Sequence, residues 1–101
     1  MINILIPVQS KDKDALIEHT LKNKYWALLK FDKGKVQEYH FYEKDWQEID
    51  EFIDVVVVKS KDDYIWPFLE QSIPVLEAPF QKDIPEVMEA FIFKELYEVK
   101  L

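Results

Sequence analysis

A chain of 101 residues, 49% hydrophobic and 15% aromatic, can build one packed core and reads as a single domain over 1–101. The formal charge is −7 and all 13 basic residues are lysines, so the field repels a polyanion and no guanidinium fork grips phosphate; nucleic-acid binding is not expected. Cysteine is absent and Gly34 is the sole glycine, which excludes thiolate-held clusters, thiolate catalysis and every glycine-rich phosphate loop.

No apolar run approaches the roughly 20 residues of a membrane span. The N-terminus lacks the basic, apolar and small-residue order of a signal peptide. A cytoplasmic protein without membrane contact is the expectation.

In chain order, Ile2-Asn-Ile-Leu-Ile-Pro-Val8 predicts a buried strand stopping near Pro7, which has no N–H to donate. The polar stretch from Gln9 to Asp14 and the segment Ala15–Thr20 form a connecting loop over 9–23 with some helical content. A loop of that length is a place to look for a site. Tyr25–Phe31 and Lys35–Tyr42 then flank Asp32-Lys33-Gly34, a hairpin with a short loop and a bulge.

Trp46, Ile49, Phe52 and Ile53 recur at helical spacing and predict a helix over Lys44–Ile53, with Asp45, Glu48, Asp50 and Glu51 facing solvent. Val55–Val58 leaves no polar face and reads as a central strand covered on both sides. Ser60 is a candidate N-cap for the next helix, but Pro67 requires that helix to start late, near Trp66, or to kink. Ile73–Glu77 is a short last strand. Asp83-Ile-Pro-Glu86 opens a capped helix whose stripe runs through Val87, Met88, Phe91, Ile92, Leu96 and Val99.

This order, with Ile2–Pro7, the string His19–Val36, Val55–Val58 after Asp54, and Leu69–Val75, resembles the dinitrogenase iron–molybdenum cofactor biosynthesis family. The resemblance spans nearly the whole chain. It implies a ribonuclease H-like α/β fold: a five-stranded mixed sheet in the order 3-2-1-4-5, strand 2 antiparallel, with helices on both faces. It further implies a carrier or accessory protein for iron–sulfur or iron–molybdenum clusters, with a histidine before the second strand as ligand. Where such proteins typically have His-Phe-Gly, this chain reads His19-Thr20-Leu21; where they have a glycine-rich turn, it reads Lys59-Ser60-Lys61-Asp62. A degenerate cofactor site is therefore part of the expectation.

The residues themselves make His19 the sharpest metal-ligand candidate, with Glu18, Asp12 and Asp14 as its oxygen-donor neighbours. Lys59, Ser60, Lys61, Asp62 and Asp63 lie where an open α/β sheet binds ligands, and Ser60 with the following backbone amides could hold a small anion; the resemblance makes His19, Lys59, Ser60 and Lys61 the cofactor-binding candidates. His40, on the hairpin, reads as a half-exposed surface residue. Nuclease chemistry needs acids on central strands, yet the first strand has none and Asp54 only leads into the central one. No nucleophile elbow is present, so an enzyme is not expected. The reading is a non-catalytic binding domain with His19 as metal ligand. The alternative is a protein–protein interaction module with no cofactor, for which an exposed aromatic in Trp66-Pro67-Phe68 would mark the partner surface.

Overall fold

A computed structural model describes residues 1–43 and 45–100. The elements are β1 (Ile2–Val8), β2 (Tyr25–Asp32), β3 (Lys35–Tyr42), a 3-10 turn (Trp46–Glu48), β4 (Val55–Val58), α1 (Trp66–Glu70), β5 (Val75–Glu77), α2 (Ile84–Ile92) and β6 (Tyr97–Glu98). They make one mixed sheet in the order β3-β2-β1-β4-β5-β6. β2 runs against β1 and β3, β1 and β5 run parallel to β4, and β6 runs against β5. The expected order of the first five strands holds. The expected count does not: Tyr97–Glu98 adds a sixth strand at the edge, too short to announce itself in a sequence.

The apolar runs are explained by two cores. Ile4, Ile6, Val8, Val55 and Val57 pack on one side of the sheet with Ile84, Val87 and Met88 of α2. Leu5, Val56 and Val58 pack on the other with Trp46, Ile49, Ile53 and Phe68. A strand with a core on each face needs no polar alternation. β1 also runs one residue past the predicted stop. The Pro7 carbonyl accepts from Glu18 N, on the side away from β2, so its ring nitrogen faces that side too. There the ladder to β4, Ile4–Val55 and Leu5–Val56, has already ended, so the missing N–H breaks no bond to β4.

Three local expectations need correction. The predicted helix over 44–53 is a single 3-10 turn; Lys44 lies outside the described residues. Trp46, Ile49 and Ile53 are buried as their spacing demanded, but Ile49 is already extended and Phe52 is 77% exposed. Asn3 fixes the departure: its amide donates to Asp54 Oδ2 at 2.7 Å and its side chain to the Phe52 carbonyl at 2.7 Å, drawing the chain straight into β4. The 9–23 loop has bridges instead of a helical turn, Val8 with Ile17 and Leu16 with Asp83, which bury Ala15 and Ile17. And α2 stops at Ile92, so Leu96 and Val99 belong to the returning chain. The hairpin loop is two residues, Lys33 and Gly34, both at positive φ, and the bulge sits inside β3, where Lys30 pairs with Glu38 but Phe31 with Val36.

Both helices end alike. After α1, Ser72 N bonds to Leu69 O and Ile73 N to Phe68 O; after α2, Lys94 N bonds to Phe91 O and Glu95 N to Ala90 O. These are Schellman closures, which put one residue in the left-handed region. With a single glycine in the chain, Ser72 (φ 59) and Lys94 (φ 59) take those places. Among the described residues no helix is long and apolar enough to cross a membrane.

Ser72→Gly and Lys94→Gly should each raise stability by about 0.5–1 kcal/mol, the left-handed strain relieved less the extra freedom of an unfolded glycine; urea titration reads both. Phe68 is 1% exposed, with its ring 4.5 Å from Trp46 and 6.0 Å from Trp26. Phe68→Ala should cost about 3–5 kcal/mol in the same titration.

Candidate functional site

β1 and β4 are parallel, so the 9–23 loop and the loop after Val58 leave from the same end of the sheet, beyond the carboxyl ends of the strands, where α/β sheets bind ligands. Two contacts join them. The Thr20 hydroxyl accepts from Tyr64 N at 3.0 Å and lies 3.2 Å from Tyr64 O as its donor, filling both backbone groups of one residue. Thr20 is the one buried polar residue among those described, at 7% exposure. Beside it, His19 Nδ1 lies 2.7 Å from Asp63 Oδ1.

The imidazole is partly open, with 41% of its side chain exposed, whereas the Asp63 side chain is only 7% exposed. A carboxylate only accepts hydrogen bonds, so Nδ1 carries the proton of this bond, and in the neutral ring Nε2 keeps its lone pair. No bond to Nε2 exists among the described residues. Glu18 supports the same turn: its Oε1 accepts from His19 N at 2.8 Å and its Oε2 from Gln9 Nε2 at 2.8 Å. The His19 amide bond holds the Glu18 carboxyl below its ordinary range, with smaller help from Gln9 and the nearby Lys59 and His19 charges, against some desolvation.

Leu21 takes the left-handed place (φ 75) where the resembling family has glycine, and its side chain stands 79% exposed. With Tyr64 at 51% and Trp66 at 53% exposed, it rims an open depression of about 570 Å³ floored by His19, Thr20 and Asp63. The exposed aromatic sought in Trp66-Pro67-Phe68 is thus Trp66, while Phe68 is core.

The turn containing Lys59, Ser60 and Lys61 is differently employed than as a cradle. Ser60 does not cap α1, whose N-cap is Ile65 and whose start is late, at Trp66, as Pro67 requires. Its hydroxyl accepts from Asp62 N at 3.1 Å and its carbonyl from Asp63 N at 3.0 Å. Ser60 N reaches Asp63 Oδ2 at 3.4 Å, and Lys61 N donates to Glu77 Oε2 at 2.8 Å. With Tyr64 N on Thr20, every backbone N–H from 60 to 64 has an internal acceptor. Lys59 is half-buried on the Glu18 side. Asp12 and Asp14 are exposed and make no bond to His19 among the described residues, and His40 pairs instead with Glu38 at 2.8 Å.

Sequence reasoning singled out His19 and, separately, the turn that holds Asp63, but not the contact between them, nor Thr20 and Glu77. Asp63 and Tyr64 lie 44 positions beyond His19 and Thr20, a separation that no local spacing signals. Leu21 alone left a trace, as the residue standing in glycine's place.

No family model matches this sequence, and no curated protein matches it. Solved structures do. The crystal structure of a provisionally named dinitrogenase from Methanocaldococcus jannaschii matches with TM-score 0.75 at 17% identity, over 99% of this chain and 98% of that one. The NMR structure of the same protein matches with TM-score 0.78 at 16% identity, over 99% and 94%. A provisionally named NifB protein of the DUF35 family from Thermotoga matches with TM-score 0.72 at 14% identity, over 100% and 96%. The resemblance to dinitrogenase cofactor proteins read from the sequence holds at the level of the fold.

Thr20→Val should cost about 1–3 kcal/mol by stranding the Tyr64 amide and carbonyl, and Thr20→Ser should recover most of it in thermal melts. Glu18 has a lowered folded-state pKa, so its contribution is present above its unfolded value and lost as pH falls through the folded one. As pH falls below 4.5 the stability gap between wild type and Glu18→Gln should therefore close, as read by urea titration at stepped pH.

Proposed function

We propose that this chain is a non-catalytic binding domain that offers one imidazole nitrogen, His19 Nε2, to a metal centre arriving with its other ligands in place. The observation that carries the reading is the 2.7 Å bond from His19 Nδ1 to the nearly buried Asp63. A carboxylate behind an imidazole fixes its tautomer and ring orientation and raises its basicity as a ligand. The likeness in fold to proteins named as a dinitrogenase and a NifB protein supports a nitrogenase-related accessory role. The sheet order agrees with ribonuclease H-like topology carrying an added edge strand.

The donor set decides what kind of metal fits. Among the described residues no group of three or more His, Cys, Asp or Glu side chains could hold an ion. An ion retained by the protein alone therefore does not suit the site, since such ions take about four protein donors. A cargo with one open coordination position does. Among the described residues no acid–base partner lies at Nε2, and Glu18 and Asp63 are engaged in holding the loops; this supports binding over catalysis.

A copper–iminodiacetate complex, which leaves one in-plane position open, tests the reading in a His40→Ala background. The expected result is a nitrogen ligand detected by electron paramagnetic resonance, absent in His19→Ala. Asp63→Asn should weaken binding about 10-fold or more.

The exposed Leu21, Tyr64 and Trp66 favour a second reading, a protein-interaction module that uses this rim with no metal. It predicts no His19-dependent ligation at all.

A further inference from the structure

Trp26, near the start of β2, and Trp46, on the 3-10 turn, are each only 8% exposed, and their rings lie 6.0 and 4.5 Å from that of Phe68. An indole has one donor, Nε1–H, and no acceptor, and a tryptophan this deep usually pairs it. Here no protein group among the described residues accepts from either nitrogen. Nor is either nitrogen sealed in the core. Among the described residues the one fully buried side-chain nitrogen or oxygen without a partner is Gln81 Oε1. Both indole N–H groups therefore reach the surface through the small part of each ring that is open.

Both rings line a cleft of about 410 Å³ between the 20–24 loop, the 3-10 turn and α1, with Asn23, Lys24, Glu43 and Asp45 around its mouth. That volume suits a small ligand. Trp46 also borders a smaller cleft beside Ile53 and Pro74, so Trp26 is the principal donor here. The cleft adjoins the His19 depression and shares Thr20, Leu21 and Tyr64 with it, but neither His19 nor Asp63 lines it. Donors and rim together select the ligand. An ammonium or guanidinium has no acceptor to offer an indole N–H. An anion meets Glu43 and Asp45 against one lysine, in a chain at −7. Asp45 Oδ1 accepts from Gln47 N at 3.0 Å, and its other oxygen is left to take a donor.

We infer that this cleft is a second binding site, for a small neutral ligand of the amide, lactam or imide class. The ligand's carbonyl accepts from Trp26 Nε1–H, and its own N–H is directed to the rim carboxylates. The site stands independently of His19 as a metal ligand.

Nitrogen-15 spectra of the three indole N–H groups in the metal-free protein test this, with Trp66, 53% exposed and outside the cleft, as the internal control. The expected result is a saturable shift of Trp26 by 2-pyrrolidinone with half-saturation at about millimolar concentration, while Trp66 shows none. N-methylpyrrolidinone, which keeps the carbonyl and lacks the N–H, should bind about 3–10-fold more weakly. Acetate and methylammonium should give no saturable shift. Trp26→Phe should weaken the lactam at least about tenfold, read at the Asn23 side-chain amide; the wild-type titrations stand without that variant. No saturable Trp26 shift by about 100 mM lactam, an equal response to acetate, or a saturable response confined to Trp66 would each overturn the assignment.

Discussion

The site depends on the parallel pairing of β1 with β4. Because both strands are covered by a core on each face, their direction and register are set by burial, and both deliver their following loops to one end of the sheet. At that end the loops still have to be held together, and Thr20 does so with one hydroxyl that serves both backbone groups of Tyr64. Asp63 then comes within 2.7 Å of His19 as a consequence. Strand burial sets the frame, the hydroxyl closes it, and the carboxylate orients the imidazole.

A shortage of glycine shapes the rest of the surface. Leu21, Lys33, Ser72 and Lys94 occupy left-handed positions that glycine would take more easily, at a turn beside the site, a hairpin and two helix ends. At three of these the substitution is mainly a local strain. At Leu21 it also changes the site, since an exposed isobutyl group now stands over ground that glycine would have left open. The turn after β4 shows the same tendency: carboxylate and hydroxyl side chains take the bonds that a glycine-rich turn leaves to a ligand.

The sequence disclosed what periodicity and punctuation can encode. Val55–Val58 had no wet face, Gly34 marked the hairpin turn, Pro67 forced α1 to begin at Trp66, and Asp83 with Glu86 capped α2. It misled where burial spacing is shared by two conformations. Trp46, Ile49 and Ile53 face the core whether or not a helix carries them, and the bonds from Asn3 decided against the helix. The end of α2 was hidden because lysine, not glycine, fills the closing position. Asp63 was invisible as a partner of His19 because only the completed sheet brings them together.

The most direct measurement is the nitrogen-15 spectrum of the His19 ring at alkaline pH, where an ordinary imidazole is neutral. If Asp63 orients this histidine, the proton resides on Nδ1, and Nε2 shows the shift of an unprotonated, ligand-ready nitrogen. A ring protonated on Nε2, or one exchanging freely between tautomers as an unpaired imidazole does in water, would contradict the presentation of His19 as a metal ligand.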